Sequence, residues 1–84
     1  MHTEYHVAFH RSHPRLTSRE RQYADSGINW LIRNGASPIS DRQMRRGMRR
    51  QIKRECGIDP ITAFFLSLII SKVIDWVISW WRSK

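Results

Sequence analysis

Ile61–Trp81 reads ITAFFLSLIISKVIDWVISWW, and the way this stretch is satisfied decides the fold. As a helix it is about 31 Å long, close to the roughly 30 Å hydrocarbon thickness of a bilayer. Its start is well marked. Asp59 is a good N-cap, and Pro60 suits the first helical position. Its end carries Trp80 and Trp81, then Arg82 and Lys84; with Trp76 these form the expected membrane-interface anchor.

Eleven of these positions are Ile, Leu, Val or Phe, together worth roughly −3 to −7 kcal/mol on an insertion scale. Lys72 and Asp75 oppose them by roughly +5 to +7 kcal/mol. The balance lies near zero, so a lone helix inserts marginally. Lys72 and Asp75 are three apart and can pair, although Lys before Asp is the weaker orientation. The remaining polar positions form a stripe: Ser67, Ser71, Asp75 and Ser79 recur every four residues, with Lys72 alongside. In a membrane such small and hydroxylic positions let helices approach closely. The expectation is a helix–helix interface through Ser67, Ser71, Lys72, Asp75 and Ser79, within a homo-oligomer or against another protein's helix. The competing readings are a helix lying on the membrane surface and the buried helix of a soluble complex with its polar stripe outward. Against the buried helix, the apolar arc is wider than one amphipathic face needs, and little else in so short a chain could cover it.

The chain has 84 residues, near the lower limit for a self-sufficient core. One cysteine, Cys56, excludes an internal disulfide. Fifteen Lys and Arg stand against seven Asp and Glu, a formal charge of +8, and most of the excess precedes the apolar stretch. Three segments follow: an arm over 1–15, a basic helical hairpin over 16–57, and the apolar helix over 58–84. The fold class is all-α.

All four histidines lie in the arm, at His2, His6, His10 and His13. Tyr5, Val7 and Phe9 alternate with polar residues, which predicts an extended segment ended by His13-Pro14. Spacing by four suits a shared metal ion, but no cysteine or carboxylate cluster completes a site. A docking arm responsive to pH is the reading preferred. Thr17-Ser-Arg-Glu20 has the form of a capping box and opens a helix that Gly35 stops. Tyr23, Ala24, Ile28, Leu31 and Ile32 form its apolar face; Gly27 weakens it, and Trp30 lies off the stripe. Ser40-Asp-Arg-Gln43 resembles a second capping box.

The helix that follows, to Cys56, carries only a thin apolar stripe: Met44, Met48, Ile52 and Cys56. Around it stand Arg42, Arg45, Arg46, Arg49, Arg50, Lys53 and Arg54, seven cations in thirteen residues. Beside a membrane helix they would hold anionic lipid headgroups at about 1 kcal/mol each. By the positive-inside rule they would keep the N-terminal part cytoplasmic, with the protein a single-pass span. Nucleic-acid phosphates are the rival partner, since arginine outnumbers lysine and forks onto phosphate. The helix–turn–helix layout offers no clear set of base-reading side chains.

No P-loop, dinucleotide fingerprint or paired-carboxylate constellation occurs, and Cys56 has no held base. The expectation is a non-enzymatic, cofactor-free structural or scaffolding protein. In size, order and composition the layout resembles small viral and phage membrane proteins. That resemblance implies a virion component facing the genome, or a holin-like protein whose helices assemble into a membrane lesion. A soluble nucleic-acid-binding structural protein, its C-terminal helix buried in a partner, is the remaining alternative.

Overall fold

The computed structural model describes residues 4–35, 39–57 and 59–82. His2, Lys84 and the turn residues 36–38 lie outside them. The described residues are all-helical: α1 (Glu4–Ser12), α2 (Ser18–Arg33), α3 (Asp41–Cys56) and α4 (Pro60–Arg82).

The helix boundaries follow local chemistry. Thr17 and Glu20 form a complete capping box: the Thr17 hydroxyl accepts from the Glu20 N–H at 3.2 Å, and the Glu20 carboxylate accepts from the Thr17 N–H at 2.9 Å. That backbone bond, ahead of the hydroxyl contact and the charge of Lys72, holds the Glu20 carboxyl below the usual range despite slight burial. Gly35, at φ 80°, occupies the left-handed region past the end of α2. At α3 the second box is only half made. Ser40 accepts from the Gln43 N–H at 3.2 Å, but the Gln43 side-chain oxygen takes the Ser40 hydroxyl proton instead of a backbone N–H. Gly57, at φ 64°, closes α3 by donating to Lys53 O. Asp59 caps α4, accepting from the Thr62 N–H at 2.7 Å. Hydrogen bonds from the Thr62 backbone and then its side chain keep the Asp59 carboxyl low.

The N-terminal segment corrects the sequence expectation: residues 4–12 are helical, not extended. Alternation of Tyr5, Val7 and Phe9 fits a strand, but Tyr5 and Phe9 also stand four apart. Packing chooses the helix. Tyr5 meets Trp80 edge-on at 4.8 Å and Phe9 meets Trp76 edge-on at 5.6 Å, while Val7 points outward. Glu4 in the first turn and Arg11 in the last suit the helix dipole.

The core runs through all four helices. Phe9 comes from α1; Tyr23, Ala24, Ile28 and Leu31 from α2; Met44, Met48 and Ile52 from α3. From α4 come Leu66, Ile69, Ile70, Val73, Ile74 and Val77. The short chain therefore does cover one full arc of its apolar helix, contrary to the sequence expectation. Two glycines set how closely α2 and α3 approach. A Cβ on Gly27 would stand 3.6 Å from Met48 Sδ, whereas a Cβ on Gly47 would stand 2.0 Å from Trp30 Cε2. Gly47 is thus the floor on which the Trp30 indole rests.

Candidate functional site

α3 carries the cationic surface, and its buried stripe aims it. Met44, Met48, Gln51 and Ile52 are buried and Cys56 is half-buried, which turns five of the seven cations outward. Arg42, Arg46, Arg50, Lys53 and Arg54 are exposed. Among the described residues, Arg45 alone of the seven cations makes an ion pair, to Asp41 at 2.7 Å.

The flank of α3 next to α4 is stitched by arginine and serine. Arg45 Nη1 donates to Ser71 Oγ at 2.9 Å, and Arg49 Nη2 donates to Ser67 Oγ at 2.7 Å. Two members of the polar stripe therefore receive arginines of this chain. Lys72, Asp75 and Ser79 lie exposed on the outer face. Of the anchor tryptophans, Trp76 and Trp80 stack on each other at 5.9 Å and receive Phe9 and Tyr5 of α1. Trp81 is half-buried and Arg82 exposed.

The outer face of α4 divides into two halves. Its C-terminal half shows Lys72, Asp75, Ser79 and Arg82. Its N-terminal half shows Ile61 and Phe64, each 76% exposed, Phe65 at 50% and Leu68 at 57%. This contiguous apolar patch was not singled out from the sequence. Apart from Thr62 and Ser67 this half of α4 is apolar on every side, so spacing alone does not separate its outer side chains from its core ones. Phe64 precedes Ser67 by three, and Leu68 precedes Ser71 by three, so each neighbours an arginine-bonded serine on the helix surface. Exposed aromatic and aliphatic surface thus runs directly into the Arg45–Arg49 flank. On the opposite side the patch continues into a cleft of about 330 Å³ beside Tyr23 and Arg19 of α2.

At the far end of α3, Glu55 accepts from Gln51 at 2.6 Å and from Asn29 at 3.4 Å. Partial burial pushes its carboxyl up. Hydrogen bonds from Ser26, Gln51 and Asn29 and the charge of Arg33 outweigh that, and the net effect is a lowered pKa. His6 and His10 bind α1 to α2. His6 Nε2 pairs with Asn29 Oδ1 at 2.8 Å, and His10 Nε2 with Asp25 Oδ1 at 2.6 Å. His13 Nδ1 meets Phe9 O at 3.0 Å. Among the described residues no three His, Cys, Asp or Glu side chains gather as a metal ion would need. Ser26 Oγ is the polar neighbour of Cys56 Sγ, at 3.4 Å.

The fold and this face together define a small all-α protein with a cationic wall beside an exposed apolar helix surface. By length and composition α4 is able to cross a membrane. Compared with protein families, characterised proteins and solved structures, the chain has no significant match.

Proposed function

We propose that this chain is a small structural protein of a membrane surface, anchored by α4 and holding anionic phosphates with α3. The observation that carries the reading is continuity. Ile61, Phe64, Phe65 and Leu68 form an exposed apolar patch whose border is occupied by Arg45 and Arg49. A surface that seats in a bilayer combines these elements, apolar side chains at the acyl boundary and cations at headgroup level. A patch of this kind on a soluble monomer is also a mark of an interaction site.

Magnitudes favour seating over spanning. The six aliphatic side chains of α4 buried in the core represent roughly 9 to 18 kcal/mol of gross apolar burial, as an upper estimate. Insertion of α4 alone is worth close to zero, and its withdrawal would also uncover core surface of α2 and α3, on which it packs. The second reading, a single-pass span with a cytoplasmic N-terminal part, is supported by the 23-residue length of α4 and the basic segment before it. In that reading Arg45 and Arg49 release Ser71 and Ser67, and the serine stripe becomes free for a partner helix. A virion component and a lesion former remain the two biological settings of this class.

Vesicle flotation followed by an alkaline carbonate wash tests both. The folded, seated protein floats with anionic vesicles, binds neutral ones weakly, and is released by carbonate. Retention through the wash supports the span. Failure to associate with any vesicle or cell membrane refutes the proposal.

A further inference from the structure

The other flank of α3 holds a second, differently built surface. Gly47 and Arg54 lie on the α2 side of α3, away from the Arg45 and Arg49 contacts with α4. Here Trp30 and Arg33 of α2 and Gly47, Arg50 and Arg54 of α3 line a cleft of about 210 Å³. None of its lining residues is acidic. Glu55, outside the lining, is hydrogen-bonded by Gln51 and Asn29 and feels the charge of Arg33. Arg33 is steadied at the rim by Gln51 Oε1, 3.4 Å from its Nη1. Among the described residues, Arg50 and Arg54 have no ionic partner.

The aromatic wall is held in place by an unusual contact. The Trp30 ring lies where a Cβ on residue 47 would have to be, 2.0 to 2.4 Å from Cε2, Cζ2 and Nε1. Only glycine admits the indole against the α3 backbone. Trp30 is half-buried, so part of this fixed ring still faces the cleft.

We infer that this cleft binds single-stranded nucleic acid, the Trp30 indole stacking on a base while Arg33, Arg50 and Arg54 hold the flanking phosphates. Three guanidinium forks around a rigid π-surface are the elements of sequence-tolerant single-strand binding. The cleft is too small for a secondary-structure element and recessed between two helices, so it does not suit a bilayer. A lipid phosphate would satisfy the arginines but offers no base to the indole. The site uses none of the α4 patch, so it stands independently of the membrane reading; if both hold, the protein grips a bilayer on one flank of α3 and a nucleic-acid strand on the other.

The test uses the full chain and a short fluorescent oligothymidylate, read by anisotropy across a salt series, with inorganic polyphosphate as competitor. The wild type is expected to prefer the oligonucleotide to polyphosphate at equal phosphate. Trp30→Leu is expected to weaken binding about tenfold or more with the salt slope unchanged. Arg50→Gln and Arg54→Gln are each expected to lower the slope by about one. Gly47→Ala, which keeps every charge and displaces only the indole, should weaken binding as Trp30→Leu does; Trp30→Phe should retain most of it. Circular dichroism verifies folding of each variant, and Gly47→Ala and Trp30→Phe carry the test if Trp30→Leu unfolds. Wild-type affinity in Trp30→Leu and Gly47→Ala, equal competition by polyphosphate, or no oligonucleotide binding at all overturns the inference. Vesicle binding by Trp30→Leu, Trp30→Phe and Gly47→Ala, which leave every charge in place, is expected to be unchanged, so failure of the membrane reading registers separately.

Discussion

Gly47→Ala and Gly27→Ala make the same chemical change in the interiors of facing helices, and their outcomes should differ because of one indole. Replacing a mid-helix glycine by alanine gains about 1 kcal/mol of intrinsic propensity. At Gly47 the new Cβ would stand 2.0 Å from Trp30 Cε2 and 2.1 Å from Cζ2. Carbon atoms rest at about 3.5–4.0 Å, so the ring must retreat by roughly 1.5 Å. Overpacking of that order costs about 1–3 kcal/mol, which leaves Gly47→Ala neutral to about 2 kcal/mol destabilising. Removing the ring removes the conflict. In a Trp30→Ala background, Gly47→Ala should stabilise by the full propensity gain of about 1 kcal/mol. A double-mutant cycle by urea denaturation, followed by far-ultraviolet circular dichroism, should therefore give a coupling of about 1–3 kcal/mol between the positions. Trp30 is only half-buried, so its truncation should cost less than the roughly 3–5 kcal/mol of a core aromatic and leave the double mutant measurable. If Gly47→Ala stabilises equally in both backgrounds, the indole does not rest on Gly47, and the shape assigned to the α2–α3 cleft is wrong.

Gly27→Ala should stabilise by about 0.5–1 kcal/mol, because its Cβ would make ordinary contact with Met48 Sδ at 3.6 Å; thermal melting should show a rise of several degrees. Thr17→Ala should lose about 1 kcal/mol through the missing N-cap hydroxyl, read in the same melt. Because the Glu20 and Glu55 carboxyls are held low in the folded state, their contribution is present above the unfolded carboxylate pKa, about 4.3. It is lost as pH falls through the lowered folded values. Glu20→Gln, which keeps an oxygen for the Thr17 N–H, should flatten part of that acid limb in a pH-dependent denaturation series. Phe64→Ser with Leu68→Ser alters residues already in solvent, so stability should hold within about 0.5 kcal/mol while vesicle flotation falls; unchanged flotation would remove the α4 patch from the membrane contact.

Much of the fold was legible in the sequence because its signals are local. Thr17 with Glu20, Ser40, Asp59 with Pro60, and the two positive-φ glycines mark helix ends through contacts within a turn of the chain. The stripe Met44, Met48, Ile52 identified the inner face of α3 by spacing alone, and so identified Arg42, Arg46, Arg50 and Arg54 as outward. The N-terminal segment was misread because Tyr5 and Phe9 fit both periods. Trp76 and Trp80, some seventy residues away, settle the choice by accepting those rings.

By itself, then, the amino-acid order determined the all-α class, a cationic helix ending at Cys56 and a C-terminal helix of membrane length, since each follows from propensity, capping and periodicity. Tertiary structure decided how the wide apolar arc of α4 is divided. Six of its aliphatic residues are buried in the core, while Ile61, Phe64, Phe65 and Leu68 remain outside. It also decided which arginines border that patch and which surround Trp30. Those outcomes depend on how three helices of fixed length and shape pack around a fourth, and on a missing Cβ at Gly47 that lets one ring settle. Such contacts join residues far apart in the chain, and no local pattern encodes them.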